Sequence, residues 1–300
     1  MKNTSWLLLL FTVMTTTVKA QYTFTSIDYP GGTETVARGI NNHGDIVGSY
    51  RIVPPIHALL FSNGNFIPLA PTTALGANYS DAFKSNDRGD VVGYVTTDDG
   101  FSHGFLLSGG NLTMLDFPGA SNTVAVGINE ADVVVGWYDV GPFDEDGNPS
   151  AQHGFIWSGG NFVQVDVPGA SDTGVTGINA RGDLVGGWDN RLAPAVEHGF
   201  VYANGTFTTL DVPVAGSTFT QIDDINAQGD VVGAYEDGDG HGHGFVIRKG
   251  IFTTLDFPGA VGTNAWGINS AGQVVGRYHL TRGGATHGFL AEPEGERKPE

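Results

Sequence analysis

The chain contains no cysteine, so no disulfide staples it and no thiol serves as nucleophile or metal ligand. Basic residues are scarce, with 14 Lys and Arg against 32 Asp and Glu. A surface of that sign repels phosphate backbones and anionic headgroups, which excludes nucleic acid as a partner. It favours solubility, and leaves divalent cations or basic ligands as charge-matched partners. Long apolar runs are also missing. The longest, Trp6 to Met14, is far below the ~20 residues that span a bilayer, so no membrane insertion is expected. No segment carries the apolar period of an amphipathic helix. What is abundant is glycine, 46 of 300 residues, in a chain that is 40% apolar and 11% aromatic. That composition belongs to a folded protein held by its own core.

The N-terminus has the pattern of a secretory signal. Lys2 supplies the positive charge, Trp6 to Met14 the apolar core, and Val18-Lys19-Ala20 a small-residue cleavage site. Cleavage after Ala20 is expected, releasing a secreted protein (extracellular or periplasmic) that begins at Gln21. The mature chain then has 12 Lys and Arg against 32 Asp and Glu, a net charge of −20.

Internal repetition dominates the rest. A His-small-apolar marker begins at His57, His103, His153, His198, His243 and His287, at spacings of 46, 50, 45, 45 and 44. A Gly-Ile-Asn marker or its variants ends at Asn41, Asn86, Asn129, Asn179, Asn226 and Asn269. A Val-Val-Gly marker ends at Gly48, Gly93, Gly136, Gly186, Gly233 and Gly276. Each unit holds four short strands bounded by turn chemistry. In the unit from residue 103, strand a covers His103 to Leu107, b Leu112 to Asp116, c Thr123 to Ile128 and d Asp132 to Tyr138. Pairs such as Asn63-Gly64, Asn204-Gly205 and Lys249-Gly250 read as two-residue a–b hairpin turns. The c–d turns read Asn-x-x-Gly, with Asp132 in place of glycine in one copy.

Four strands in ~45 residues without a helix match the blade of a β-propeller. The expected fold is all-β, a six-bladed β-propeller of four-stranded antiparallel blades spanning 21–292, followed by a polar tail at 293–300. The chain opens on a strand b (Tyr22 to Asp28) and closes on a lone strand a (His287 to Ala291). Pairing of these N- and C-terminal strands would close the ring. Strands d and a are nearly continuous apolar runs, as for strands covered on both faces, whereas b alternates. This places c at the axis and b at the rim. The order a to d from the axis outward is the alternative.

The His-[Gly/Ala]-Phe and Gly-Ile-Asn-x-x-Gly-[Asp/Gln]-Val-Val-Gly markers, together with the signal sequence, resemble the HAF-type extracellular repeat family over nearly all of the mature chain. The resemblance implies a bacterial exported, propeller-like protein, and it brings no established activity or catalytic residues. The second unit departs most, with Lys84-Ser85-Asn86 for Gly-Ile-Asn and Leu69-Ala70-Pro71 for Asp-Phe-Pro.

A ring of histidines suggests metal, but hairpin register suggests clasps. A two-residue turn sets His103 opposite Asp116, His153 opposite Asp166, His198 opposite Asp211 and His243 opposite Asp256. Across the closure, His287 should meet Asp28. His57 faces Ala70 and lacks its acid. One His–Asp pair per blade without a recurring nucleophile reads as structural. Arg88-Gly89-Asp90 and Arg181-Gly182-Asp183 resemble adhesion triplets but follow from turn chemistry. No cofactor is expected. The one cation alternative is Ca²⁺ in the acidic loops, at Asp144, Asp146 and Asn148 or in Asp237-Gly238-Asp239-Gly240, although the bidentate Glu of an EF-hand loop is missing. Aromatic residues after Val-Val-Gly (Tyr50, Tyr138, Trp188, Tyr235, Tyr278) recur and read as packing.

Residues present in every blade build blades, so a site must come from departures and irregular loops. The b–c and d–a connections share one face, and the d–a loops vary most in length, which makes that the functional face. Strand c carries diverse residues on its second side: Arg38, Asp81, Phe83, Gln221, Asp223, Asn264 and Trp266. With Trp137, Asp139, Trp188, Asp189, Arg191, Arg277 and His279 they form a polar and aromatic set suited to a glycan or a peptide. The primary expectation is a monomeric, non-enzymatic binding or scaffold propeller that recognises a glycan or extracellular protein on its long-loop face. The alternative is a hydrolase or lyase on saccharide or lactone, with Asp81 and Asp223 as its acid and base.

Overall fold

The alternating and apolar segments form 24 strands among the described residues, which in this computed structural model are 22–69, 79–141, 151–191, 196–217 and 219–294. The signal segment 1–20, the Ca²⁺ candidates Asp144, Asp146 and Asn148, Ala70 opposite His57, and most of the polar tail lie outside them. No helix long and apolar enough to cross a membrane occurs among the described residues.

The strand that opens the described chain is β1 (Tyr22–Ile27). Blade 1 follows with β2 (Glu34–Ile40), β3 (Ile46–Arg51), β4 (His57–Ser62) and β5 (Asn65–Pro68). Blade 2 has β6 (Tyr79–Ser85), β7 (Val91–Thr96), β8 (Ser102–Ser108) and β9 (Asn111–Leu115). Blade 3 has β10 (Asn122–Ile128), β11 (Val134–Val140), β12 (Ala151–Ser158) and β13 (Asn161–Val165). Blade 4 has β14 (Asp172–Ile178), β15 (Leu184–Asp189), β16 (His198–Ala203) and β17 (Thr206–Thr209). Blade 5 has β18 (Thr220–Ile225), β19 (Val231–Glu236), β20 (Gly242–Arg248) and β21 (Ile251–Leu255). Blade 6 has β22 (Gly262–Ile268), β23 (Val274–His279) and β24 (His287–Pro293), and β1 completes it.

This is a six-bladed β-propeller of four-stranded antiparallel blades. Within each blade the order is c-d-a-b, and the six c strands (β2, β6, β10, β14, β18, β22) adjoin one another around the axis. The b strands form the rim, as their alternation predicts. The ring closes where β1 pairs with β24, from Tyr22 opposite Pro293 to Ile27 opposite Gly288. The last strand therefore runs two residues beyond Ala291, because Glu292 and Pro293 still find partners on β1.

The repeated residues have three structural tasks. The a–b hairpins turn on two residues with positive φ, as in Asn63 (49°) and Gly64 (77°), or Lys249 (51°) and Gly250 (77°). That is the mirror-image turn whose twist matches paired strands. The marker phenylalanines Phe105, Phe155, Phe200, Phe245 and Phe289 are fully buried, each contributing roughly 1.5–3 kcal/mol of transfer free energy. Their rings cover the glycine of Val-Val-Gly. A Cβ on Gly136 would sit 1.9 Å from the Val124 carbonyl oxygen and 2.9 Å from the Phe155 ring, so the two markers require each other. Finally, the recurrent hydroxyl at the start of strand c accepts a backbone N–H from the b–c corner, as in Phe117 N–H to Thr123 Oγ1 at 3.0 Å and Phe257 N–H to Thr263 Oγ1 at 3.0 Å.

The marker asparagines do more than make turns. Each Oδ1 accepts backbone N–H groups of its own c–d turn, as Asn226 does from Gln228 and Asp230. Each Nδ2 donates to the carbonyl of the next blade's asparagine: Asn41 to Asn86 (3.2 Å), Asn86 to Asn129 (3.5 Å), Asn129 to Asn179 (3.2 Å), Asn179 to Asn226 (3.3 Å), Asn226 to Asn269 (3.1 Å) and Asn269 back to Asn41 (3.1 Å). The result is a closed circle of six hydrogen bonds between blades at the c–d turn end of the axis.

The rim clasps form in register. His103 meets Asp116 at 2.9 Å, His153 meets Asp166 at 3.1 Å, and His198 and His243 meet Asp211 and Asp256 at 2.9 Å. His287 meets Asp28 at 2.9 Å across the closure. In blades 3 to 6 the aromatic after Val-Val-Gly packs on the clasp histidine, as Tyr278 does on His287 (centroids 5.1 Å apart), whereas Val95 stands opposite His103 in blade 2. Tyr278 also lies flat on Phe257 at 3.6 Å, as Tyr138 does on Phe117. Their recurrence is packing.

Candidate ligand site at the propeller axis

Every innermost strand carries a β-bulge, and at the same place. The register shifts between Ala37 and Gly39, Ala82 and Lys84, Ala125 and Gly127, Val175 and Gly177, Ile222 and Asp224, and Ala265 and Gly267. A bulge inserts one unpaired residue and re-aims its side chain. The six inserted residues are Arg38, Phe83, Val126, Thr176, Asp223 and Trp266, and all six line one cavity of about 170 Å³ on the axis. The backbone repeats here; the side chains do not.

The floor of this cavity is an ion pair. Position 39 of blade 1 is glycine, as are its equivalents Gly127, Gly177 and Gly267, where a Cβ would press on the neighbouring blade (2.5 Å from the Phe83 carbonyl oxygen at Gly39). Blades 2 and 5 instead have Lys84 and Asp224. These blades stand opposite in a six-membered ring, and the two side chains meet as a buried salt bridge. Lys84 lies over Gly39 and Asp224 over Gly177, each using the space left by a neighbouring glycine. Asp224 Oδ2 also accepts the Ile268 N–H at 2.8 Å, which satisfies the buried carboxylate further. Below the pair, a smaller hollow of about 90 Å³ is lined by the asparagine circle.

Above the floor, Gln221, Asn264, Trp137 and Arg277 extend the wall toward the b–c and d–a connections. The Arg38 guanidinium lies 4.1 Å from the Trp266 ring centroid and 4.7 Å from that of Phe83, and the Arg277 guanidinium lies 4.6 Å from Trp266. Such contacts favour guanidinium groups in a partly dehydrated site. Arg38 Nε and Nη2 both donate to Asp81 Oδ2, at 3.1 and 2.8 Å. Burial opposes the Arg38 charge, but the Asp81 carboxylate more than offsets it and holds the pKa above the ordinary value. Arg277 makes no ion pair among the described residues, and Asp223 and Glu34 favour its charge only at longer range. Its Nε donates to Asn264 Oδ1 at 3.1 Å, and burial followed by the like charge of Arg38 lowers its pKa.

The opposite wall carries Asp223. Burial pushes the Asp223 carboxyl well above the usual carboxylate range, and nearby Glu197 and Asp224 add to the shift against the opposing pull of Arg38 and Lys84. Gln221 Nε2 donates to Asp223 Oδ1 at 2.9 Å, and Oδ2 has no partner among the described residues. Glu197 has its Oε1 2.9 Å from where a Cβ on Gly187 would stand, and burial with the Asp189 charge raises its pKa to about 7.

Of the residues singled out from sequence, Arg38, Phe83, Gln221, Asn264, Trp266, Trp137, Arg277 and Asp223 converge on this cavity. Asp81 lines a separate cleft with Glu34 and Tyr79, and Arg38 and Arg277 line both hollows. The two carboxylates of the acid–base alternative thus face different spaces, and one is ion-paired. Asp139 is buried against Asn122 (3.0 Å) and Gln152, with burial raising its pKa. Trp188 stacks on His198. Asp189 Oδ1 accepts the Arg191 N–H at 2.7 Å, Arg191 pairs with Asp172, and His279 ends β23 opposite Gly262. These five stand toward the loop face and outside the axial cavity. Sequence reasoning missed the Lys84–Asp224 bridge, Glu197, and the bulges that aim Val126 and Thr176 inward. The signal for the bridge was present, because glycine is replaced at one marker position in two opposite units.

Two other features compete as sites. A hollow of about 310 Å³ between blades 5 and 6 is larger than the axial cavity, but His243 and Asp256, a repeating clasp, form part of its wall. Asp237, Asp239 and His241 bring three ligand atoms within 4.8 Å of one another, in the loop considered above for Ca²⁺. There Asp237 is already engaged by the His241 and Asp239 N–H groups and by His243, and its pKa falls to about 2.

No protein-family model and no curated protein matches the sequence. Solved structures resemble the fold. A lectin variant from Aleuria aurantia in complex with α-methyl-L-fucoside aligns with TM-score 0.53 at 11% identity, over 91% of this chain and 99% of that one. The variant bound to Fucα1-6GlcNAc aligns with TM-score 0.51 at 12% identity, over 92% and 100%. At these identities the likeness is one of fold.

Proposed function

We propose that the protein is a secreted, non-catalytic glycan-binding propeller of the HAF-type repeat class, with its site in the axial cavity on the long-loop side. The observation that carries this reading is the row of six bulges presenting Arg38, Phe83, Val126, Thr176, Asp223 and Trp266. An identical backbone device filled by six different side chains serves recognition better than architecture. Aromatic surface beside amide, carboxyl and guanidinium groups suits a ring bearing hydroxyls. The Aleuria aurantia lectin carries fucosides on a similar fold, which makes a saccharide a natural ligand class. The volume of about 170 Å³ lies below the ~300–1,000 Å³ of drug-sized sites, so one sugar ring enters rather than an oligosaccharide.

The test is a glycan array probed with the mature protein and with the Trp266→Leu variant. Retention of defined terminal sugars by the mature protein, lost in a variant of unchanged circular dichroism, is the expected result. No retention of any glycan, or retention indifferent to the substitution, contradicts the reading.

A further inference from the structure

Three of the cations around the axis form ion pairs. Arg38 is bound to Asp81, Lys84 to Asp224, and Arg51 to Glu34 at 3.2 Å. Arg277 has only its Nε committed, to the neutral Asn264 amide, and its two terminal nitrogens make no bond among the described residues. Its guanidinium lies against Trp266 and lines the cavity. Asp223 and Glu34 act on it only at longer range, and neither forms an ion pair with it among the described residues. A chain with 32 acidic and 14 basic residues holds in its central hollow a guanidinium that has no ion-pair partner among the described residues.

Resting on the glycan reading above, we infer that Arg277 receives the carboxylate of a single acidic sugar ring, with Gln221 and Asp223 facing its hydroxyls across the cavity. With Nε fixed on Asn264, the guanidinium presents its terminal edge, whose two parallel N–H groups match a carboxylate. The small volume and the strongly negative surface both argue against a polyanionic chain, which the rest of the protein would repel. A terminal uronate, or a free one, fits both conditions.

The experiment is calorimetric titration of the mature protein with methyl glucuronide and methyl galacturonide, each against its neutral methyl hexoside, with acetate and inorganic phosphate as bare anions. At least one uronate should bind on the order of 10- to 100-fold more tightly than its neutral partner, the range expected of a charge-assisted hydrogen-bonded pair. Arg277→Gln should remove that preference, and Arg277→Lys should restore part of it, with thermal unfolding unchanged in both. Equal affinity for neutral and acidic rings overturns the inference while the glycan reading stands. Acetate or phosphate binding as tightly as the uronate overturns it in favour of a simple anion site. Persistence of the preference in Arg277→Gln places the carboxylate elsewhere, and binding of no saccharide removes both readings.

Discussion

The rim and the axis of this propeller are built on equally regular backbone, yet they are populated by opposite rules. At the rim, five blades show the same His–Asp bond at 2.9–3.1 Å. At the axis, six equivalent bulges hold six different residues. Where every copy must meet the same neighbour, one solution recurs. Where the copies converge on a shared hollow, each contributes a different group, and the asymmetry of the hollow comes from sequence alone. Even the floor obeys this, since Lys84 and Asp224 replace glycine only as an opposed pair.

Substitutions can break this comparison at graded strength. The largest effect is expected on the scaffold. Phe155→Ala empties a fully buried ring site and should cost about 3–5 kcal/mol in denaturant unfolding. Next comes the floor. Lys84→Ala leaves Asp224 buried and uncompensated and should cost about 3 kcal/mol or more. Lys84→Gly with Asp224→Gly restores the residue found in the other four blades, and should recover most of that loss in a double-mutant cycle.

A pH effect follows from Glu197, whose folded pKa of about 7 exceeds its ordinary 4.5. The folded state holds this proton more tightly than the unfolded chain. The resulting stability is therefore fully present below pH 4.5 and is lost as pH rises through about 7. Glu197→Gln should accordingly stabilise the protein at pH 8, by up to about 3 kcal/mol, and change little at pH 4. The smallest effect belongs to the closure clasp. His287→Ala should cost less than about 1 kcal/mol, because Asp28 is well exposed and such pairs contribute little.

The rim was legible in sequence because its interactions lie within one hairpin: thirteen residues separate His103 from Asp116, and turn length alone sets the pairing. Closure was legible for the same reason, once Tyr22 to Asp28 was read as the missing partner of His287 to Ala291. The axis was legible only in part. Alternation along strand c marked Arg38, Asp223 and Trp266 as facing away from the repeated threonine. It did not show that a bulge turns them inward, since a bulge leaves no periodic trace in a strand of seven residues. The asparagine circle was read as turn chemistry because its second partner lies 43–50 residues away in most blades. Lys84 and Asp224 are 140 residues apart, and their meeting needs the blade count, ring closure and inner strand together. Glu197 was invisible because it precedes a clasp histidine and enters only through the space left by Gly187.

The most direct measurement is a paired titration of one retained glycan against Arg277→Gln at the axis and His287→Ala at the rim, with unfolding midpoints recorded for both. The axis variant should lose affinity by tenfold or more at an unchanged midpoint, and the rim variant should lower its midpoint slightly at an unchanged dissociation constant. Loss of affinity in the rim variant, with the axis variant binding normally, would contradict the assignment of recognition to the bulged residues.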